Sequence, residues 1–70
     1  MAIAKYEVLV EDSTHDELVR VWGPGKSLDR AREVAKKSVA EFGESIRIDR
    51  LLYVNPRFPT YEAWEFFDPE

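Results

Sequence analysis

SLDRAREVAKKSVAEFG, residues 27–43, is the stretch on which the fold turns. Leu28, Ala31, Val34, Ala35, Val39 and Phe42 recur at the three- and four-residue spacing of one helical face. Arg30, Arg32, Glu33, Lys36, Lys37 and Glu41 occupy the other, with Glu33 and Lys37 four apart, the spacing of a surface ion pair. Ser27 is placed to cap the first turn, and Asp29 stands near the positive end of the helix dipole. Gly43 supplies the left-handed residue that commonly ends a helix. A lone amphipathic helix has only one apolar stripe, so the rest of the chain must furnish the surface it covers.

On the N-terminal side the period changes from 3.6 to 2. Ala4, Tyr6, Val8 and Val10 alternate with Lys5, Glu7 and Glu11, interrupted on the polar side by Leu9, which predicts a strand with one buried face. After the polar run Glu11 to Glu17, the β-branched and aromatic stretch Leu18-Val19-Arg20-Val21-Trp22 predicts a second strand, paired with the first as a hairpin and ended by Gly23-Pro24-Gly25. On the C-terminal side Ile46, Ile48, Leu52 and Val54 alternate with Arg47, Asp49, Leu51 and Tyr53, Arg50 falling on the apolar side, and predict a third, longer strand. Pro56 and Pro59 make Asn55 to Thr60 read as a loop, followed by a last strand from Tyr61 to Phe67. The expectation is an α+β fold in a single domain over residues 1–70. Its order is β-β-α-β-β, with a four-stranded, mainly antiparallel sheet and one helix packed on one face.

One helix leaves the second face of such a sheet open. With Tyr6, Val8, Val10, Val19, Val21, Ile46, Ile48, Leu52, Trp64 and Phe66 turned to the helix, the open face receives Leu18, Arg20, Trp22, Arg47, Leu51, Tyr53, Tyr61 and Phe67. Aromatic and arginine side chains are enriched at binding hot spots. The candidate partner-binding residues are therefore Arg20, Trp22, Arg47, Tyr53, Phe58, Tyr61 and Phe67, together with the tail carboxylates Glu62 and Glu65.

Composition narrows the function. A 44% hydrophobic content excludes the disordered class, and the absence of cysteine removes disulfides and thiolate metal sites from consideration. No apolar run of eighteen residues and no secretory leader pattern occur, so the expectation is a cytoplasmic protein without a membrane partner. The net charge of −4 argues against direct nucleic-acid binding, which needs a basic footprint. The charge is segregated: carboxylates dominate residues 1–17 and 60–70, and Lys and Arg dominate the middle, where Trp22, Tyr53 and Phe58 would suit base stacking. The spaced carboxylates Glu62, Glu65, Asp68 and Glu70 can equally imitate a nucleic-acid backbone or protect a solvated edge strand.

Catalysis is difficult to assemble from this inventory. His15 is the only histidine, and Ser13, Thr14, His15 and Asp16 are neighbours in a polar turn, not groups converging from separate elements. Gly25-Lys26-Ser27 has the ending of a phosphate-binding loop, but Arg20 stands where that loop needs its first glycine. No catalytic residue, metal site or cofactor is expected.

The Ser27-Leu28-x-x-Ala31-Arg32-x-x-Ala35 rhythm, set between two pairs of strands, resembles the small phage-encoded anti-CRISPR proteins of ββαββ build. The resemblance implies a compact inhibitor whose partner is a CRISPR effector subunit, blocked by occupation of the basic path of target DNA. The layout is also similar to small antitoxins of the HicB kind, although no PDLPG-like stretch precedes the helix. The expected function is a non-catalytic protein-binding inhibitor acting sterically on a nucleic-acid-handling complex. A homodimeric structural or antitoxin-like module, and a small RNA-binding domain, are the alternatives.

Overall fold

The computed structural model describes residues 3–55 and 57–69. Their elements run β1 (Ile3–Asp12), β2 (Glu17–Gly25), α1 (Leu28–Phe42), β3 (Ile46–Asn55) and β4 (Phe58–Phe67). The strands form one antiparallel sheet ordered β2-β1-β3-β4, so two sequential hairpins are joined through the central β1–β3 pair. The fold is thus the expected α+β arrangement.

α1 begins and ends where its capping residues dictate. The Ser27 hydroxyl oxygen accepts from the Arg30 amide at 3.1 Å, and Gly43, at φ 64°, donates its amide to the Val39 carbonyl at 3.0 Å. The core lies between α1 and the two central strands and consists of Val8, Val10, Ile46 and Ile48 beneath Ala31 and Ala35. Two alanines on the helix let it approach the sheet closely, and Tyr6, Trp22, Leu28, Val34, Val39 and Phe67 close the margins. Ser38 is also buried on this face, a polar position that apolar periodicity does not flag, whereas Phe42 at the end of the stripe is half exposed. Glu33 pairs with Arg30 at 2.8 Å, and not with Lys37 as its spacing suggests.

Two β-bulges correct the predicted faces. In the β1–β2 ladder Leu9 pairs with Arg20 but Val8 pairs with Trp22, so Val21 is an extra residue and Trp22 turns toward the helix. In the β3–β4 ladder Asp49 pairs with Ala63 but Ile48 pairs with Glu65, so Trp64 is extra. Beyond that bulge Phe67 pairs with Ile46 on the helix side, and Phe66 pairs with Arg47 on the open side, the reverse of the simple alternation. The strand limits also differ. Gly23, Pro24 and Gly25 belong to β2, where Gly25 pairs with Tyr6, and Phe58, Pro59 and Thr60 belong to β4, where Thr60 pairs with Leu52. Pro24 and Pro59 are tolerated because β2 and β4 are the sheet's edges, where a missing amide breaks no inner ladder. Pro56 and the side chain of Val54 lie outside the described residues.

Candidate functional site

The ladders place residues in rows across the face that α1 leaves uncovered. Arg20, Leu9, Arg47 and Phe66 form one row, followed by Glu7, Asp49 and Ala63, then Lys5, Leu51 and Tyr61, with Tyr53 beside Ile3 at the end. The second row sets two carboxylates side by side, since Glu7 and Asp49 are direct partners on adjacent strands and are only 8% and 5% exposed. Like charges so placed repel unless each is compensated. Arg20 Nη1 donates to Glu7 Oε1 at 3.1 Å, and Arg47 Nη2 donates to Asp49 Oδ2 at 3.0 Å. Arg47 Nε also lies 2.7 Å from Asp49 Oδ1 without an aligned hydrogen bond, so that contact acts as an ion pair alone. The centre of the open face is therefore a pair of acids in one row, each held by an arginine of the neighbouring row.

Apolar surface surrounds this row. Leu51 is buried, although no helix covers it. Lys5 Nζ stands 5.3 Å from the Tyr53 ring centroid, a cation–π contact. Tyr61 and Phe66 are 64% and 62% exposed, Phe58 at the start of β4 is 74% exposed, and Leu18 is exposed beside Glu11.

Of the residues proposed from the sequence, Arg20, Arg47, Tyr53 and Tyr61 do share the open face, and Phe58 stands at its border. Trp22 and Phe67 are on the helix side, packed against the core. Glu62 and Glu65 are also on that side and are engaged internally: Arg50 Nη2 reaches Glu62 at 2.6 Å, and Arg32 Nε reaches Glu65 at 2.8 Å. The hydrogen bonds that Arg32 donates to Glu65 hold its guanidinium above its usual basicity. Arg50 additionally lies 4.4 Å from the Trp64 ring centroid, and Trp64 packs on Tyr6. These two carboxylates are consequently neutralised within the molecule. The alternation already turns Lys5, Glu7 and Asp49 away from the core, but the strand register that sets Glu7 beside Asp49 is invisible in a linear pattern.

The opposite feature is the β1–β2 turn. Asp12 Oδ1 accepts from the Thr14 and His15 amides at 3.0 and 3.3 Å, and Asp12 Oδ2 lies 2.7 Å from His15 Nδ1. The side-chain bond from His15 keeps the Asp12 carboxyl below its ordinary value of 3.8. Ser13 donates to Glu44 and not to His15, so the Ser13–His15–Asp16 neighbourhood forms no relay. Asp12, His15 and Glu17 bring ligand atoms within 4.8 Å of one another, a set able to hold a cation, at the margin of a groove of about 580 Å³. Among the described residues no helix is long and apolar enough to cross a membrane. No family model, curated protein or solved structure matches this chain.

Proposed function

We propose that the protein is a non-catalytic protein-binding module that docks through the open face of its sheet. The observation that carries this reading is exposed apolar surface on that face. Of the nine large hydrophobic side chains exposed among the described residues, Ile3, Leu18, Tyr61 and Phe66 lie there. Solvated single apolar residues need no explanation, but Tyr61 and Phe66 flank internally compensated acid–arginine pairs on one continuous face. Aromatic anchors beside arginine are what the centre of a protein interface requires.

In this reading the module acts by occupancy, as a steric inhibitor of a larger cytoplasmic complex does. Imitation of a nucleic-acid backbone by Glu62 and Glu65 is the less favoured version, because Arg50 and Arg32 already cancel those charges. The test is capture of a partner by the tagged protein, repeated with a Tyr61→Asp, Phe66→Asp double variant. The expected result is loss of the partner with an unchanged circular dichroism spectrum. Retention of every captured protein by the double variant refutes the reading.

A further inference from the structure

We infer that the occupant of the open face is a second copy of this chain, stacked sheet against sheet about a two-fold axis; the inference rests on the docking reading above and names the second copy, in place of a larger complex, as what that face binds.

Shape is the first argument. The Cα envelope measures 39 × 25 × 14 Å, a slab two layers thick. Its radius of gyration is 12.2 Å, where a chain of this length packs to about 11 Å. Its accessible surface is 4969 Å², where a compact monomer of 8.2 kDa exposes about 4,500 Å². Both values exceed those of a compact monomer, in the direction expected of a sheet covered by a helix on one side alone. The two longer dimensions of the whole chain, 39 and 25 Å, give the uncovered side of the sheet the breadth to seat a second sheet. A second sheet laid on it at the usual ~10 Å spacing completes a four-layer helix–sheet–sheet–helix stack.

Charge selects the occupant. The open face carries Lys5, Arg20 and Arg47 against Glu7, Glu11 and Asp49, and the two inner carboxylates are already gripped by Arg20 and Arg47. A balanced face offers no net attraction to a polyanion or to a basic peptide, but it suits a partner with the same balance. The order along β1 is also polar: Lys5 lies at one end of the face and Glu11 at the other, with Leu9 between. A two-fold axis between the sheets, perpendicular to β1 near Val8, runs the two β1 strands antiparallel and sets each Lys5 over Glu11 of the second copy. Leu9, Leu18, Tyr61 and Phe66 fill the space around those pairs. Each contact then occurs twice, the condition for an isologous interface that closes on itself.

The experiment is sedimentation equilibrium of the full chain from low micromolar to millimolar concentration, for wild type, Lys5→Glu, Glu11→Lys and the charge-exchanged double variant. The expected result is a dimer mass for wild type, with Kd weakened about tenfold in each single variant and restored toward wild type in the double variant. Lys5 and Glu11 are at opposite ends of one strand, so a purely intramolecular role predicts no such rescue. A monomer at every concentration, or a dimer indifferent to the single exchanges, overturns the inference. In the first case, if Tyr61→Asp, Phe66→Asp still abolishes capture of a different protein, the docking surface stands and only its occupant changes. If the monomer also loses nothing through that variant, both fail together.

Discussion

Gly23 is the position with least room for change. Its φ is 98°, and a Cβ built there meets the Tyr6 carbonyl oxygen at 2.4 Å and the Glu7 Cα at 3.1 Å, both backbone atoms that cannot swing aside. Gly23→Ala therefore combines a disfavoured conformation with a backbone clash. The expected loss of stability is at least about 2 kcal/mol, read by urea denaturation with tryptophan fluorescence. Gly43 provides the contrast, with φ 64° but open space around its Cβ direction, so Gly43→Ala should cost only about 1 kcal/mol, from conformation alone. Gly43 was legible in the sequence because a helix stop is a local signal. Gly23 was not, since its constraint comes from β1 lying against it. Asp12 yields a prediction in pH. Its folded carboxyl titrates below its ordinary 3.8, so its contribution is present above that value and is lost as pH falls through the lowered one. Carboxyl-carbon NMR should find the Asp12 midpoint below 3.8, and His15→Ala should return it toward the ordinary value because the largest cause is the His15 side-chain bond.

Strands were readable from their alternation up to the bulges. One extra residue reverses every face beyond it, which is why Trp22 was assigned to the open side and Phe66 and Phe67 were exchanged. Nothing in the linear pattern around Val21 or Trp64 marks either as the extra residue, because a bulge is defined by the partner strand. The same limit hid the pairing of Glu62 and Glu65, which looked like edge charges and are instead cross-ties to Arg50 and Arg32. Glu65 matters at this scale, since it joins α1 to the edge strand β4, whose other link to the helix is the packing of Phe67. A double-mutant cycle on Arg32→Met and Glu65→Gln should give a small favourable coupling, given that both side chains remain partly exposed. The coupling should shrink as salt is raised. A coupling indistinguishable from zero at low salt would show that the ion pair adds nothing to the β3–β4 ladder and the packing of Phe67 in holding β4.

For the whole molecule, class and element order followed from the sequence, but the strand order β2-β1-β3-β4 did not, because several sheets fit one linear arrangement and only the long-range β1–β3 ladder chooses among them. That ladder also concentrates the stability. A domain of this size is held by about 4–10 kcal/mol, and truncating one core aliphatic residue removes about 2–5 kcal/mol. Ile48 is fully buried between Val8 and α1, so Ile48→Ala should lower the melting temperature at dilute concentration by about 10 °C or more. Tyr61 lies on the other face, 64% exposed, and Tyr61→Asp should leave the unfolding of the isolated domain within about 0.5 kcal/mol of wild type. Anything that binds only the folded state adds stability by mass action, so a second copy on the open face should raise the melting temperature of Ile48→Ala with protein concentration. Adding Tyr61→Asp to Ile48→Ala should remove that dependence while leaving the dilute melting temperature unchanged. Calorimetry of the four proteins over a hundredfold range of concentration separates the two faces: a shift common to all four places the association elsewhere than the open sheet, and a shift abolished only with Tyr61 assigns it there.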